Sequence, residues 1–255
     1  MSPDLILVAA ASFLAGLIDA IVGGGGLVLL PALFSTFPNA LPATLLGTNK
    51  FAAMWGTSFA AARFTRRVSL RWALLIPAAA AALVGSFSGA WSVTLIDPGF
   101  LRRALPVILL IVFVYTLANK HLGKSHAPRL FGRTEVVMAC VIGLAVGWYD
   151  GFFGPGTGSF FIFLFVRVLG FDFLHASASA KVMNVATNIA ALALFSAKGY
   201  IWWKVGLVLA VANIAGSVAG TALALRHGAG FVRWVFMGVV GALIVKTGWD
   251  ALQTG

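Results

Sequence analysis

The chain has 255 residues, of which 60% are hydrophobic and only 10% charged, with a mean hydropathy of +0.98. A soluble domain carries roughly 25% charged and 45–50% apolar residues, so a water-soluble globule is excluded and helical spans of about 20 residues are expected. The net charge of +11 does not point to nucleic acid, because Arg63, Arg66, Arg67 and Arg71 fall in one short connection and Lys120, Lys124, Arg129 and Arg133 in another. Basic clusters between apolar spans are what cytoplasmic loops facing anionic lipid look like.

In chain order, residues 5–22 form a first span, interrupted at Gly23, Gly24, Gly25 and Gly26. The segment before the break carries Asp4 and no basic start, so it reads as a retained span and not a cleaved signal peptide. Residues 27–37 are a short apolar piece containing Pro31, followed by the turn-forming stretch Pro38-Asn39-Ala40-Leu41-Pro42. Spans are predicted over 44–62, 72–91 and 104–118, the last two separated by Asp97-Pro98-Gly99. After the basic linker the order recurs: a span over 136–149, a break at 154–158, a short piece over 159–169, then spans over 176–195, 205–225 and 232–247.

The recurrence has a fixed period. Lys181 follows Lys50 by 131 residues, and the same interval pairs Gly16 with Gly147, Asp19 with Asp150, Gly23 with Gly154 and Gly25 with Gly156. It also pairs Gly85 with Gly216, Gly89 with Gly220 and Arg102 with Arg233, without a gap. The expected fold is therefore an all-α polytopic membrane protein of two homologous halves, each with four to five membrane segments and a broken helix at its glycine-rich motif. The halves are assigned to residues 1–119 and 135–255, joined by a basic linker over 120–134. The short pieces rise only about 16–20 Å against a hydrocarbon core of ~30 Å. If they are re-entrant and each half has four spans, the halves are parallel; with five spans they are inverted. Inverted repeats are expected, because broken helices meeting at a repeat interface are common in such folds.

Both breaks follow the pattern G-x-x-D-x-x-x-G-x-G. Glycine lets the backbone approach a ligand closely, and the N–H groups leading into the next helix form an anion cradle. Close helix packing explains glycine equally well in membranes; the accompanying charges favour a site. Lys50 and Lys181 lie about two turns into their helices, beside Thr48-Asn49 and Ser179-Ala180. A lysine near a helix end can snorkel, but duplication at the same place favours two cations facing one central cavity. Asp19 and Asp150 are counter-ions for the lysines or, second, proton carriers. The expected binding set comprises Lys50, Lys181, Thr48, Asn49, Gly23 to Gly26, Gly154, Gly156, Thr157, Gly158, Ser159, Ser179, Asn184 and Asn188. Lys181, Asn184 and Asn188 share one helix face. Ser177 is a further polar neighbour.

GSFSG at 85–89 and GSVAG at 216–220 are small-residue packing faces. The eight tryptophans lie near span ends, as interfacial anchors do. Cys140 is the single cysteine and excludes an intrachain disulfide. His121 and His126 fall in the basic linker, and no role follows for His175 or His227. No metal-protease, P-loop, thiol-redox or nucleophile-elbow motif occurs. The expectation is a non-enzymatic protein without cofactor or metal, whose partners are a small anion and membrane lipid.

The combination of GLIDAIVGGGGLVLLPAL and LGTNKFAA in the first half with GWYDGFFGPGTGSFF and SASAKVMN in the second resembles the TauE/SafE family, the sulfite or organosulfonate exporters. The resemblance covers essentially the whole chain. It implies a multi-pass protein of the bacterial inner membrane that moves a small sulfur-containing or other organic anion, with export the expected direction, by alternating access. An anion channel using the same lysines, and a cation or proton-coupled transporter centred on Asp19 and Asp150, are the competing readings.

Overall fold

A computed structural model describes residues 3–97, 99–100 and 130–253. Among them every element is helical: α1 (Pro3–Val22), α2 (Gly26–Thr36), α3 (Pro42–Thr65), α4 (Trp72–Thr94), α5 (Gly132–Phe152), α6 (Thr157–Leu164), a π turn (Phe165–Leu169), α7 (Phe173–Ala197) and α8 (Trp203–Gln253). The predicted span over 104–118 and most of the linker, with His121 and His126, lie outside the described residues. Among the described residues, five stretches are long and apolar enough to cross a membrane: α1, α4, α5, α7 and Trp203–His227 of α8. Between the predicted spans at 205–225 and 232–247 the sequence suggests a break, yet the helix continues to Gln253. His227-Gly228-Ala229-Gly230 contains no proline, and glycine only weakens a helix, by about 1 kcal/mol per residue.

Two helices are built inside-out. α3 buries Thr44, Thr48, Asn49, Lys50 and Thr57, and α7 buries Ser177, Ser179, Lys181, Asn184, Thr187 and Asn188. Around them α1, α4, α5 and α8 turn large apolar residues outward, among them Leu14, Val84, Leu144 and Val211. In a bilayer such residues face lipid, while a buried hydroxyl or amide needs a protein partner. Trp72 and Trp203, one period apart, are exposed at the first residues of α4 and α8, where interfacial anchors belong.

The halves exchange helices. α4 of the first half packs along α5 of the second, and α8 of the second packs along α1 of the first. The small-residue faces make this possible. A methyl built on Gly85 would lie 2.2 Å from the Leu144 carbonyl oxygen, and one on Gly216 would lie 1.9 Å from that of Phe13. One turn on, Gly89 meets the Trp148 carbonyl at 2.0 Å and Gly220 that of Leu17 at 2.3 Å. Each contact has its counterpart 131 residues away. Ser86 Oγ donates to the Thr187 carbonyl and Ser217 Oγ to that of Gly56, again one period apart. Gly85→Ala and Gly216→Ala are each expected to destabilise by about 1–3 kcal/mol, the range for overpacking, read as a lowered midpoint of thermal unfolding in detergent.

The central helices α3 and α7 run antiparallel. The start of α3 meets the end of α7, with Gly47 against the Tyr200 carbonyl and Phe195 Cβ. The other end of α3 leads to Ser69, Leu70 and Arg71, which line a pocket with Phe171 and His175 at the start of α7. Arg71 there pairs with Glu135, which is 1% exposed at the start of α5. α2 folds back along α1, so that Leu29 and Leu33 cluster with Val8 and Ala15.

Candidate functional site

The site begins where α1 and α5 stop. Gly23 and Gly154, equivalent in the repeat, hold φ of +77° and +92°, a conformation glycine adopts without steric penalty. The two breaks touch: a methyl on Gly23 would lie 2.5 Å from Gly158 Cα, and Gly26 rests against Pro155. Ser159 N donates to the Gly23 carbonyl at 3.2 Å. Tyr149 braces the second break by donating its hydroxyl to the Pro155 carbonyl at 2.7 Å.

Ending α1 at Val22 leaves carbonyls of its last turn short of partners, and the second half bonds them, although that of Asp19 also accepts from Gly23 N at 2.8 Å. Ser159 Oγ donates to the Val22 carbonyl at 3.0 Å, Ser177 Oγ to that of Ile21 at 3.4 Å, and Lys181 Nζ to that of Asp19. A cation at a helix C-terminus also meets the negative end of its dipole. Lys181 is fully buried, with its ammonium 5.8 Å from the centre of the Phe64 ring. It stands behind the cavity wall, not in it. The sequence predicts both lysines in one cavity; only Lys50 lines it.

Lys50 reaches from α3 across to the end of α5, where its Nζ lies 2.5 Å from Asp150 Oδ2, both side chains being buried. This ion pair borders a cavity of about 30 Å3 lined by Asp19, Asn49, Asp150 and Thr157, with Asn184 and Asn188 from α7. Gly23, Gly26, Gly154 and Gly158 complete its backbone wall. Such a volume holds a water molecule or two. Thr57 is a further lining residue: its Oγ1 donates to Asp19 Oδ2 at 3.0 Å. The period could have shown it, since Thr57 is the equivalent of Asn188.

The remaining predicted residues lie off the cavity. Thr48 Oγ1 donates to the Thr44 carbonyl and accepts from Trp202 N, tying α3 to the start of α8. Ser159 joins the breaks, as above. Ser179 lines the separate pocket beside Arg71 and His175. Gly24 faces Ile18 and Leu27, and Gly25 packs on Ala15 and Asp19. Gly156, at φ +76°, caps the start of α6. The amide cradle is narrower than the motif suggests, because Gly23, Gly154, Thr157 and Ser159 already donate to main-chain carbonyls. His175 pairs with Asp172, whose carboxylate also caps α7. The arginines gather at one end: Arg63, Arg66, Arg67 and Arg226 line an open groove there.

Inside-out central helices sheathed in lipid-facing ones, with paired charges where two broken helices meet, define a multi-pass membrane transporter. The chain belongs to the sulfite exporter TauE/SafE family, whose model matches residues 8–247. A "probable membrane transporter protein" of Haemophilus influenzae is 37% identical over 233 residues, covering 90% of this chain and 88% of that one. The "probable membrane transporter protein YfcA" of Escherichia coli K12 is 36% identical over 241 residues, 94% of this chain and 88% of the relative. A third, "probable membrane transporter protein ORF9" of Sinorhizobium, is 33% identical over 92% of this chain and 89% of its own length. No solved structure matches the chain. The protein is thus a multi-pass transporter of the bacterial inner membrane.

Proposed function

We propose that the chain carries a small anion, such as sulfite, a sulfonate or a carboxylate, by alternating access between two inverted repeats. The observation that carries this reading is the buried Lys50–Asp150 pair, which bridges the halves beside both breaks. An ion pair in low dielectric keeps both groups charged until a ligand competes for one of them. An anion displacing Asp150 from Lys50 breaks a contact between the halves, which couples occupancy to their relative movement. The antiparallel course of α3 and α7, equivalents in the repeat, supports inversion, and the helix exchange supports halves at 1–119 and 135–255. The small cavity and the interlocked breaks favour a carrier over a channel.

The arginine-bearing end of the bundle belongs in the cytoplasm by the positive-inside rule. Moving one negative charge outward across an inside-negative potential gains about 2.3 kcal/mol per 100 mV, which is why export is the proposed direction. A thermal-shift panel of sulfite, sulfonates, carboxylates and inorganic anions on detergent-purified protein tests the substrate class. At a ligand concentration of 100 Kd the stabilisation is about 2.7 kcal/mol, a rise in midpoint on the order of 5–10 °C. A panel in which no anion exceeds chloride would refute the assignment.

A further inference from the structure

Among the side chains that line the cavity, Asp19 and Asp150 are acidic and Lys50 is the one base, with the Lys181 ammonium behind the wall on the Asp19 carbonyl. Asp150 has Lys50 as its partner, but Asp19 has no cation within 4 Å of its carboxylate among the described residues, because Lys181 binds its main-chain carbonyl. Thr57 Oγ1 donates to that carboxylate at 3.0 Å. On the opposite wall Asn184, only 6% exposed, has a side-chain oxygen with no hydrogen-bond partner. An amide oxygen only accepts, so it calls for a donor or a cation. Both groups line the same 30 Å3 cavity, at the negative end of the α1 dipole.

From this we infer a sodium site formed by the Asp19 carboxylate, the Asn184 side-chain oxygen and the Thr57 hydroxyl oxygen. The volume admits one small ion, and the ligands are hard oxygens. No group of three acidic, histidine or cysteine side chains able to hold a metal ion occurs among the described residues, and a single carboxylate matches the single charge of sodium. Helix ends at a break in a membrane helix are where sodium binds in transporters, and here the ion is a resident counter-charge that is not carried with the anion. Sodium there screens the Asp19 carboxylate directly and gives the Asn184 side-chain oxygen a partner. The inference rests on the reading of this cavity as the transported-ion site, but not on the identity of the anion.

The test uses the full chain in detergent, exchanged into choline chloride and titrated with NaCl or KCl at constant ionic strength while thermal unfolding is followed. The expected result is saturable stabilisation by sodium, with half-saturation at least tenfold lower than for potassium, and its loss in Asp19→Asn. Asn184→Leu is expected to raise the half-saturating sodium concentration at least tenfold. Superimposed sodium and choline curves, equal responses to sodium and potassium, or a response that follows pH instead of sodium would each overturn the site. Choline salts of the anions form a separate arm. Sodium stabilisation without any anion response would sink the anion reading and leave the sodium site standing; an anion response without a sodium response would do the reverse.

Discussion

Lys50→Gln is expected to reduce anion flux in proteoliposomes to the background of empty vesicles. The same change leaves the buried Asp150 carboxylate without its partner, and breaking a buried pair from one side costs about 3–5 kcal/mol. Loss of flux could then reflect loss of fold, so the double variant Lys50→Gln/Asp150→Asn is the decisive measurement. Removing both charges leaves none stranded, and stability should return to within about 1–2 kcal/mol of the parent. Flux should not return. A double variant that is both stable and active would mean that the pair only holds α3 to α5. Lys181 supplies the contrast, because its ammonium caps the end of α1 behind the cavity wall. Lys181→Gln is expected to cost about 1–2 kcal/mol through loss of the charge–dipole contact and to retain substantial flux.

The four consecutive glycines of the first break should prove unequal. Gly23→Ala places a methyl 2.5 Å from the Gly158 backbone at a residue whose φ is +77°. The left-handed conformation costs a non-glycine residue roughly 1–2 kcal/mol, and the overlap with backbone adds about 1–3 kcal/mol. Neither break can retreat, since Ser159 bonds both Gly23 and Val22. Transport and thermal stability are both expected to collapse. Gly24→Ala meets nothing closer than 3.6 Å, and those neighbours are side-chain carbons of Ile18 and Leu27. It should change stability by no more than about 0.5 kcal/mol and leave flux intact. Thermal unfolding and flux measured side by side on the two variants separate the claims; equal tolerance would show that the breaks do not meet as described.

Composition and the charges and glycines that repeat at 131 residues identified the membrane class, the broken helices and most of the cavity lining from residue types alone. These features are legible because they depend on local spacing: apolar runs fix spans, glycine fixes breaks, and a charge within a span is too costly to be incidental. What each duplicated residue does was not legible. Lys50 and Lys181 occupy equivalent positions, yet one lines the cavity and pairs with a carboxylate while the other caps a helix end. The difference arises because the two halves do not present identical partners. Ser159 and Ser177, which cap α1, have Val28 and Leu46 as their equivalents in the first half, and neither of those can donate a side-chain hydrogen bond. Which half reaches which carbonyl, and how α4 and α8 change places to pack on the other half's first helix, depends on contacts between residues far apart in sequence, from 59 positions for Gly85 and Leu144 to 203 for Phe13 and Gly216. Only the tertiary structure decided those, because a periodic sequence specifies what each helix can offer but not the partner that accepts it.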